Sequence, residues 1–345
     1  MPRKKRLRWL MSLSLLTTLT VAGAGISAAG AFASPAESSA PAQVPRVSRI
    51  AGSDRFDVAV QISQRMFPAG NSALYIASGA NFPDALSAGP AAIHWGNPLL
   101  IVPPDRVPAQ VASEIVRLHP LVIKVVGGEN SVSRAVFDQI QALAPSSRVF
   151  RLGGTDRYAV SRAVVADAFP FAWNAYVTTG NTFADALSAT PAAGQALDPV
   201  ILVDGRAATV DKETLDLLGD LTRNTIRIVG GRDSVSDAVE SWLWTVRPVL
   251  RIDGTDRFDA SINVNRKVFT SAKTVYLATG LNYPDALTGG VLAGVSNSPL
   301  YVVPTSCVPQ KVLLDIQQLG ATDVVLIGGE ASLSSAVSEL TPCVF

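Results

Sequence analysis

Three short strings set a carboxylate beside a guanidinium at a regular interval. G-S-D-R-F holds Asp54 and Arg55, G-T-D-R-Y holds Asp156 and Arg157, and G-T-D-R-F holds Asp256 and Arg257, at intervals of 102 and 100 residues. A guanidinium fork beside a helix start suits a carboxylate or a phosphate, on a ligand or on a neighbouring part of the protein. A second carboxylate follows each pair in PDAL, ADAL and PDAL, as Asp84, Asp185 and Asp285, spaced 101 and 100. A third signature, VGGENSVS, VGGRDSVS and IGGEASLS, opens at Gly127, Gly230 and Gly328 and continues with Gly128, Gly231 and Gly329. Amides in such a turn can cradle an anion, although a tight turn that requires glycine is the simpler reading.

Helix chemistry offers a structural account of the same residues. Asn81, Thr182 and Asn282 stand three residues before Asp84, Asp185 and Asp285, a variant of the capping box with the carboxylate in the first turn. Ser53, Thr155 and Thr255 can cap the preceding helix. A cap needs no arginine, so an ion pair with the repeated aspartates, within or between repeats, is the structural alternative for Arg55, Arg157 and Arg257. Aromatics recur at Phe56, Tyr158 and Phe258, then at Phe82, Phe183 and Tyr283. They serve either as core or, if exposed at a groove, as faces that stack on sugars.

Catalytic signatures are sparse. His94 and His119 are the only histidines, and both fall in the first repeat. No HExxH, G-x-S-x-G or CxxC occurs, and no G-x-G-x-x-G follows these strands, which disfavours zinc peptidases, that class of serine hydrolase, metal ribbons and nicotinamide or flavin cofactors. No catalytic residue, cofactor or metal is therefore assigned. A carboxylate pair such as Asp54 with Asp84 serves glycoside hydrolysis only if held about 5 to 10 Å apart.

Three signatures in one order at one period mark a triplicated unit of about a hundred residues. Within each copy, short apolar strands (VSRIAG, ALYIAS, PLLIVP and VIKVVGG in the first) alternate with helices, the pattern of a parallel sheet covered on both faces. Val58, Ile62 and Met66 form one helical stripe, matched by Val160, Val164 and Ala168 and by Ala260, Val264 and Val268. The last helix repeats it with Val132, Val136 and Ile140, then Val235, Val239 and Trp242, then Leu333, Val337 and Leu340. DALSAGPAA is dominated by small residues that allow close helix packing. The expected fold is α/β: three tandem modules with parallel sheets over residues 49–148, 149–248 and 249–345, packed as one pseudo-threefold body. Ligands of such sheets sit beyond the carboxyl ends of the strands, where all three signatures fall.

Residues 1–33 read as a secretory signal peptide, with Arg3, Lys4, Lys5, Arg6 and Arg8 ahead of an uncharged run from Trp9 that ends in Ala31-Phe32-Ala33. An uncleaved membrane anchor is the alternative, because the run is long enough to span a bilayer. Residues 34–48 read as an extended Pro, Ser and Ala linker. Removal of the leader leaves 24 basic against 28 acidic residues, which argues against nucleic acid and against simple charge attraction to an anionic polymer. In an exported chain the only two cysteines, Cys307 and Cys343, are expected to form a disulfide.

The series G-[ST]-D-R-[FY], [NT]-[FY]-x-D-A-L-[ST], a P-[LV]-[LIY] strand and [VI]-G-G-x-x-S-[VL]-S, three times over residues 49–345, resembles the cell wall-binding repeat type 2 family of Gram-positive bacteria. The resemblance implies a secreted, non-catalytic protein of the cell wall or cell surface, held non-covalently by an anionic, teichoic-like wall polysaccharide. It implies Rossmann-like or Toprim-like modules arranged in a triangle; once the leader is removed, no membrane contact is expected. It carries the ligand role onto Asp54, Arg55, Asp84 and the Gly127 loop, onto Asp156, Arg157 and Asp185, and onto Asp256, Arg257 and Asp285. Ala184 departs from the family's usual proline, and Gly289-Gly290 alters the small-residue helix of the third copy. A wall-glycan hydrolase, of amidase or glycosidase type and using the repeated carboxylates, is the alternative function.

Overall fold

A computed structural model describes residues 44–344. The proposed signal peptide and the linker up to residue 43 lie outside the described residues. The first repeat runs β1 (Arg46–Ile50), α1 (Arg55–Met66), β2 (Ala73–Ser78), α2 (Pro83–His94), β3 (Leu99–Val102), α3 (Ala109–Leu118), β4 (Val122–Val126) and α4 (Arg134–Leu143). The second runs β5 (Arg148–Leu152), α5 (Arg157–Ala168), β6 (Ala172–Thr179), α6 (Ala184–Gln195), β7 (Val200–Val203), α7 (Lys212–Leu221), β8 (Thr222–Val229) and α8 (Asp237–Trp244). The third runs β9 (Val249–Ile252), α9 (Arg257–Val268), β10 (Thr274–Thr279), α10 (Pro284–Val295), β11 (Leu300–Val303), α11 (Gln310–Gln318), β12 (Asp323–Ile327) and α12 (Ser335–Ser338). Strand β1 begins at Arg46, inside the stretch read as linker and one residue before the VSRIAG strand.

The three sheets are wholly parallel, in the orders β3-β2-β4-β5, β7-β6-β8-β9 and β11-β10-β12-β1. Each therefore takes its edge strand from the repeat that follows. The strand set expected for the first copy is split, because β1 pairs not with β2 or β4 but with β12, from Arg46 opposite Asp323 to Ile50 opposite Ile327. The reason is connectivity: β4, α4 and β5 form one βαβ unit between adjacent strands, and the sequence repeat cuts through it. β1 is the first strand among the described residues, and its pairing with β12 closes the ring.

Helices α2, α6 and α10 pack against one another at the centre, and almost every residue of each is buried. Their small residues make this possible. A Cβ at Gly194 would stand 2.5 Å from a side-chain carbon of Ile93, and one at Gly294 would stand 2.4 Å from another. At the opposite ends, the rings of Phe82, Phe183 and Tyr283 meet with centroids 5.7 to 5.8 Å apart. Starts meet starts and ends meet ends, so the three helices run in one direction and the repeats share a common strand-end face and a common strand-start face.

Most residues of the helical stripes are buried, while Met66 and Val268 are half-buried and Leu340 is half-buried beyond the end of α12. In α8 the buried residue is Leu243, four places after Val239, while Trp242 is 41% exposed. The 3.6-residue turn favours the i+4 position, and the tryptophan one place earlier lies off the stripe. Cys307 and Cys343 are bonded, tying the C-terminal segment to the loop after β11, where the Val308 and Cys343 amides also make backbone hydrogen bonds to Thr341 and Val308.

Candidate functional site

The first helix of each repeat is capped by the aspartate, not by the hydroxyl before it. Asp54 Oδ1 accepts from the Phe56 and Asp57 amides at 2.9 and 2.8 Å, and Asp156 and Asp256 repeat the arrangement at 2.9 Å. Ser53, Thr155 and Thr255 are one residue too early. Both types are good N-caps, and backbone geometry decides between them: Asp54, Asp156 and Asp256 hold the extended conformation just before the helical residues.

The second expected cap also differs. Helices α2, α6 and α10 start after Phe82, Phe183 and Tyr283, which make no side-chain cap bond, so Asn81, Thr182 and Asn282 do not form a capping box. Asp84, Asp185 and Asp285 turn instead into the glycine loops. Ser332 donates to Asp285 Oδ2 at 2.8 Å, and Ser131 and Ser234 bond Asp84 and Asp185. A Cβ at Gly127, Gly230 or Gly328 would lie 2.3 to 2.5 Å from the carboxylate oxygen, and each of these glycines has φ above +100°. The first glycine of each pair is thus required twice, for its backbone conformation and for the room it leaves. The second lines open space: a Cβ at Gly231 or Gly329 meets nothing within 4 Å, and one at Gly128 meets only the Gly154 carbonyl at 3.7 Å.

Each arginine bridges two repeats. Arg55, Arg157 and Arg257 donate through Nη1 to the carbonyls of Gly79, Gly180 and Gly280 in their own repeats, at 2.9, 2.6 and 2.8 Å. Their guanidinium planes lie 5.7 to 5.9 Å from the ring centroids of Tyr283, Phe82 and Phe183, in the repeat that precedes each around the ring. None forms an ion pair with the repeated aspartates within 4 Å among the described residues. Nε and Nη2 of all three have no protein acceptor among the described residues.

Three equivalent clefts result, each built across a junction. Arg157 and Asp156 face Asp84, Gly128 and Ser131; Arg257 and Asp256 face Asp185, Gly231 and Ser234; Arg55 and Asp54 face Asp285, Gly329 and Ser332. The volumes are about 260, 400 and 230 Å³ in that order. Burial pushes the carboxyls of Asp84, Asp185 and Asp285 above the usual range, opposed by the serine hydroxyl and by the arginine from the next repeat. Those arginines share the clefts with the exposed carboxylates of Asp54, Asp156 and Asp256. The amides of Gly128 and Glu129, and their equivalents, have no backbone acceptor among the described residues.

A second set of arginines escaped the sequence reading. Arg49, Arg151 and Arg251 donate through Nη1 to the carbonyls of Gly328, Gly127 and Gly230, each at 2.8 Å, and so pin the glycine loop of the preceding repeat. Their spacing of 102 and 100 residues matches that of the Asp-Arg strings and was the available signal. Ser131, Ser234 and Ser332 were likewise visible inside the glycine signatures. The two histidines stand apart from the clefts: His94 lies against Phe169 and Trp95, and His119 caps the end of α3 in a left-handed conformation.

The family profile described as Cell wall binding domain 2 (CWB2) matches residues 49–137, 151–240 and 251–338. N-acetylmuramoyl-L-alanine amidase LytC of Bacillus subtilis (strain 168) is 28% identical over 292 residues, covering 85% of this chain and 57% of that protein. Amidase enhancer of the same organism is 28% identical over 289 residues, covering 84% of this chain and 39% of its own length. The chain thus spans about half the length of the curated relatives it matches. Among solved structures, Cwp6 from Clostridium difficile superposes with a TM-score of 0.78 at 25% identity, over 86% of this chain and 48% of that one. Cwp8 from the same organism gives 0.77 at 28% identity, over 86% and 51%.

Proposed function

This chain belongs to the cell wall binding domain 2 family, and from that premise we propose that it is a non-catalytic anchor which binds an anionic secondary wall glycopolymer through its three junction clefts. One observation carries the reading. At each junction a guanidinium held by a single backbone bond keeps Nε and Nη2 free, beside a serine and unpaired amides. That set suits a phosphate or carboxylate on a sugar chain.

The acidic residues of the clefts are held by contacts of their own, which leaves the arginine as the cationic group that a ligand anion can reach. Asp54, Asp156 and Asp256 spend one oxygen on two amides at a helix start, where the macrodipole favours negative charge. Asp84, Asp185 and Asp285 are engaged with serine and glycine inside the loops. Three clefts on one body also raise the effective concentration for a repeating polymer, so weak individual sites add to firm retention. A location at the cell wall, after export, follows from this reading.

The combined change Arg55→Ala, Arg157→Ala and Arg257→Ala is expected to release the protein from isolated walls while its circular dichroism stays that of wild type. Sedimentation with walls equal to wild type would remove the arginines from the site. Hydrolysis is the second reading, because one relative is named an amidase. Incubation with peptidoglycan and wall polymer separates the two: new reducing ends or released amines that vanish on Asp84→Asn, Asp185→Asn and Asp285→Asn would favour the enzyme.

A further inference from the structure

The face opposite the clefts has a different chemistry. Strand starts and helix ends share it, and the common direction of α2, α6 and α10 gives all three repeats the same one. Trp95 follows the end of α2, Leu121 precedes β4, Phe171 and Trp173 flank the first residue of β6, Leu197 follows α6, and Trp244 ends α8. These six side chains are 53 to 67% exposed. All four tryptophans among the described residues are exposed by 41% or more, although tryptophan is on average a well-buried residue. Single exposed apolar residues need no explanation, but their concentration on one face does.

Cations share that face. Arg65 near the end of α1, Arg148 at the start of β5, Arg223 early in β8, Lys267 near the end of α9 and Lys273 before β10 are all exposed. None is in ion-pair contact with a carboxylate among the described residues, whereas Asp167 and Asp323 are already paired with Lys124 and Arg46. Asp220 at the end of α7 stands against them. On the cleft face the exposed carboxylates of Asp54, Asp156, Asp204, Asp233, Asp256 and Glu330 stand with the exposed cations Arg157, Arg206 and Arg257.

Indole and phenyl groups beside guanidinium and ammonium groups match the headgroup level of a bilayer with negative lipids. The chain path agrees. Val44, 84% exposed, precedes β1 on this face, and the sequence upstream of it is uncharged from Trp9 through Ala33. We propose that the strand-start face docks on an anionic lipid bilayer and holds the ring with its three clefts turned away from the membrane. This departs from the sequence-based expectation of no membrane contact after leader removal. No described helix is long and apolar enough to cross a membrane.

The test uses the chain from Ser34 onward, which contains the whole closed ring and lacks the apolar run. Flotation with phosphatidylglycerol–phosphatidylcholine vesicles is expected to carry the protein upward and to shift its tryptophan emission to the blue. Phosphatidylcholine vesicles alone are expected to do neither. Trp95→Ser, Phe171→Ser and Trp173→Ser together should lower partitioning on the order of tenfold or more, with circular dichroism unchanged. The Arg55, Arg157 and Arg257 triple variant should float as wild type, which keeps this outcome separate from that of wall binding. No flotation with anionic vesicles, or flotation untouched by the aromatic changes, overturns the proposal. So does self-association that the aromatic changes abolish without any vesicle binding, which would assign the face to a second copy of the chain.

Discussion

Gly127 and Gly128 are neighbours with opposite demands. Gly127 has φ +109° and its Cβ position is 2.3 Å from Asp84 Oδ2, so Gly127→Ala is expected to cost about 1 to 3 kcal/mol in urea unfolding. Gly128→Ala is expected to cost a few tenths, since its Cβ position is nearly empty. Equal losses would contradict the docking of Asp84 into the loop. The three buried carboxylates give a signed pH effect. Their folded pKa values lie above the unfolded value, so the folded state holds these protons more tightly and gains stability as pH falls through the folded pKa toward 3.8. Asp84→Asn, Asp185→Asn and Asp285→Asn together should therefore look more favourable, relative to wild type, at pH 7 than near pH 4. A variant-minus-wild-type difference independent of pH would show that burial does not perturb these groups. His94 adds an effect of opposite sense at higher pH, since burial lowers its pKa and acidification through 6.5 favours the unfolded chain.

At the scale of elements, the sequence made the strands, helices and their period legible but not their phase. A tandem period sets the length of a unit without marking where it begins, so β1 was placed with β2 to β4 although it completes the sheet of β12. Composite clefts follow from the same shift: Arg157 was visible in its string, but nothing in the string says that it faces Asp84 of the preceding repeat. The cap was placed at Ser53 and not at Asp54 for a local reason, because both side chains satisfy helix amides and only the backbone path selects one. Removing β1 by starting the chain at Gly52 should uncover the β12 edge, lower the melting temperature and promote association, which size-exclusion chromatography reads directly. A monomer as stable as the full ring would contradict closure by β1. Cys343→Ser should cost about 3 to 4 kcal/mol in the chain-entropy view, since the disulfide joins residues 36 apart.

The whole molecule is polarised by its parallel construction. Helix starts gather on one face with the aspartates that cap them, helix ends on the other with arginine and lysine, in the sense that the macrodipole favours. The aromatic triad of Phe82, Phe183 and Tyr283 sits where the starts meet, and each ring lies under an arginine of the next repeat. Three clefts thus surround one axis on a rigid body, a geometry suited to a long polymer rather than to a single small molecule. The second glycines allow this to be tested without touching a charge, because side chains there enter the clefts and not the core. The most direct measurement is the equilibrium binding of the Gly128→Leu, Gly231→Leu and Gly329→Leu triple variant to isolated walls, intact and stripped of secondary polymer by acid. The expected result is firm binding of wild type to intact walls only, and loss of that binding in a folded triple variant. Undiminished binding by the variant, or equal binding of wild type to stripped walls, would contradict recognition of a wall polymer in the junction clefts.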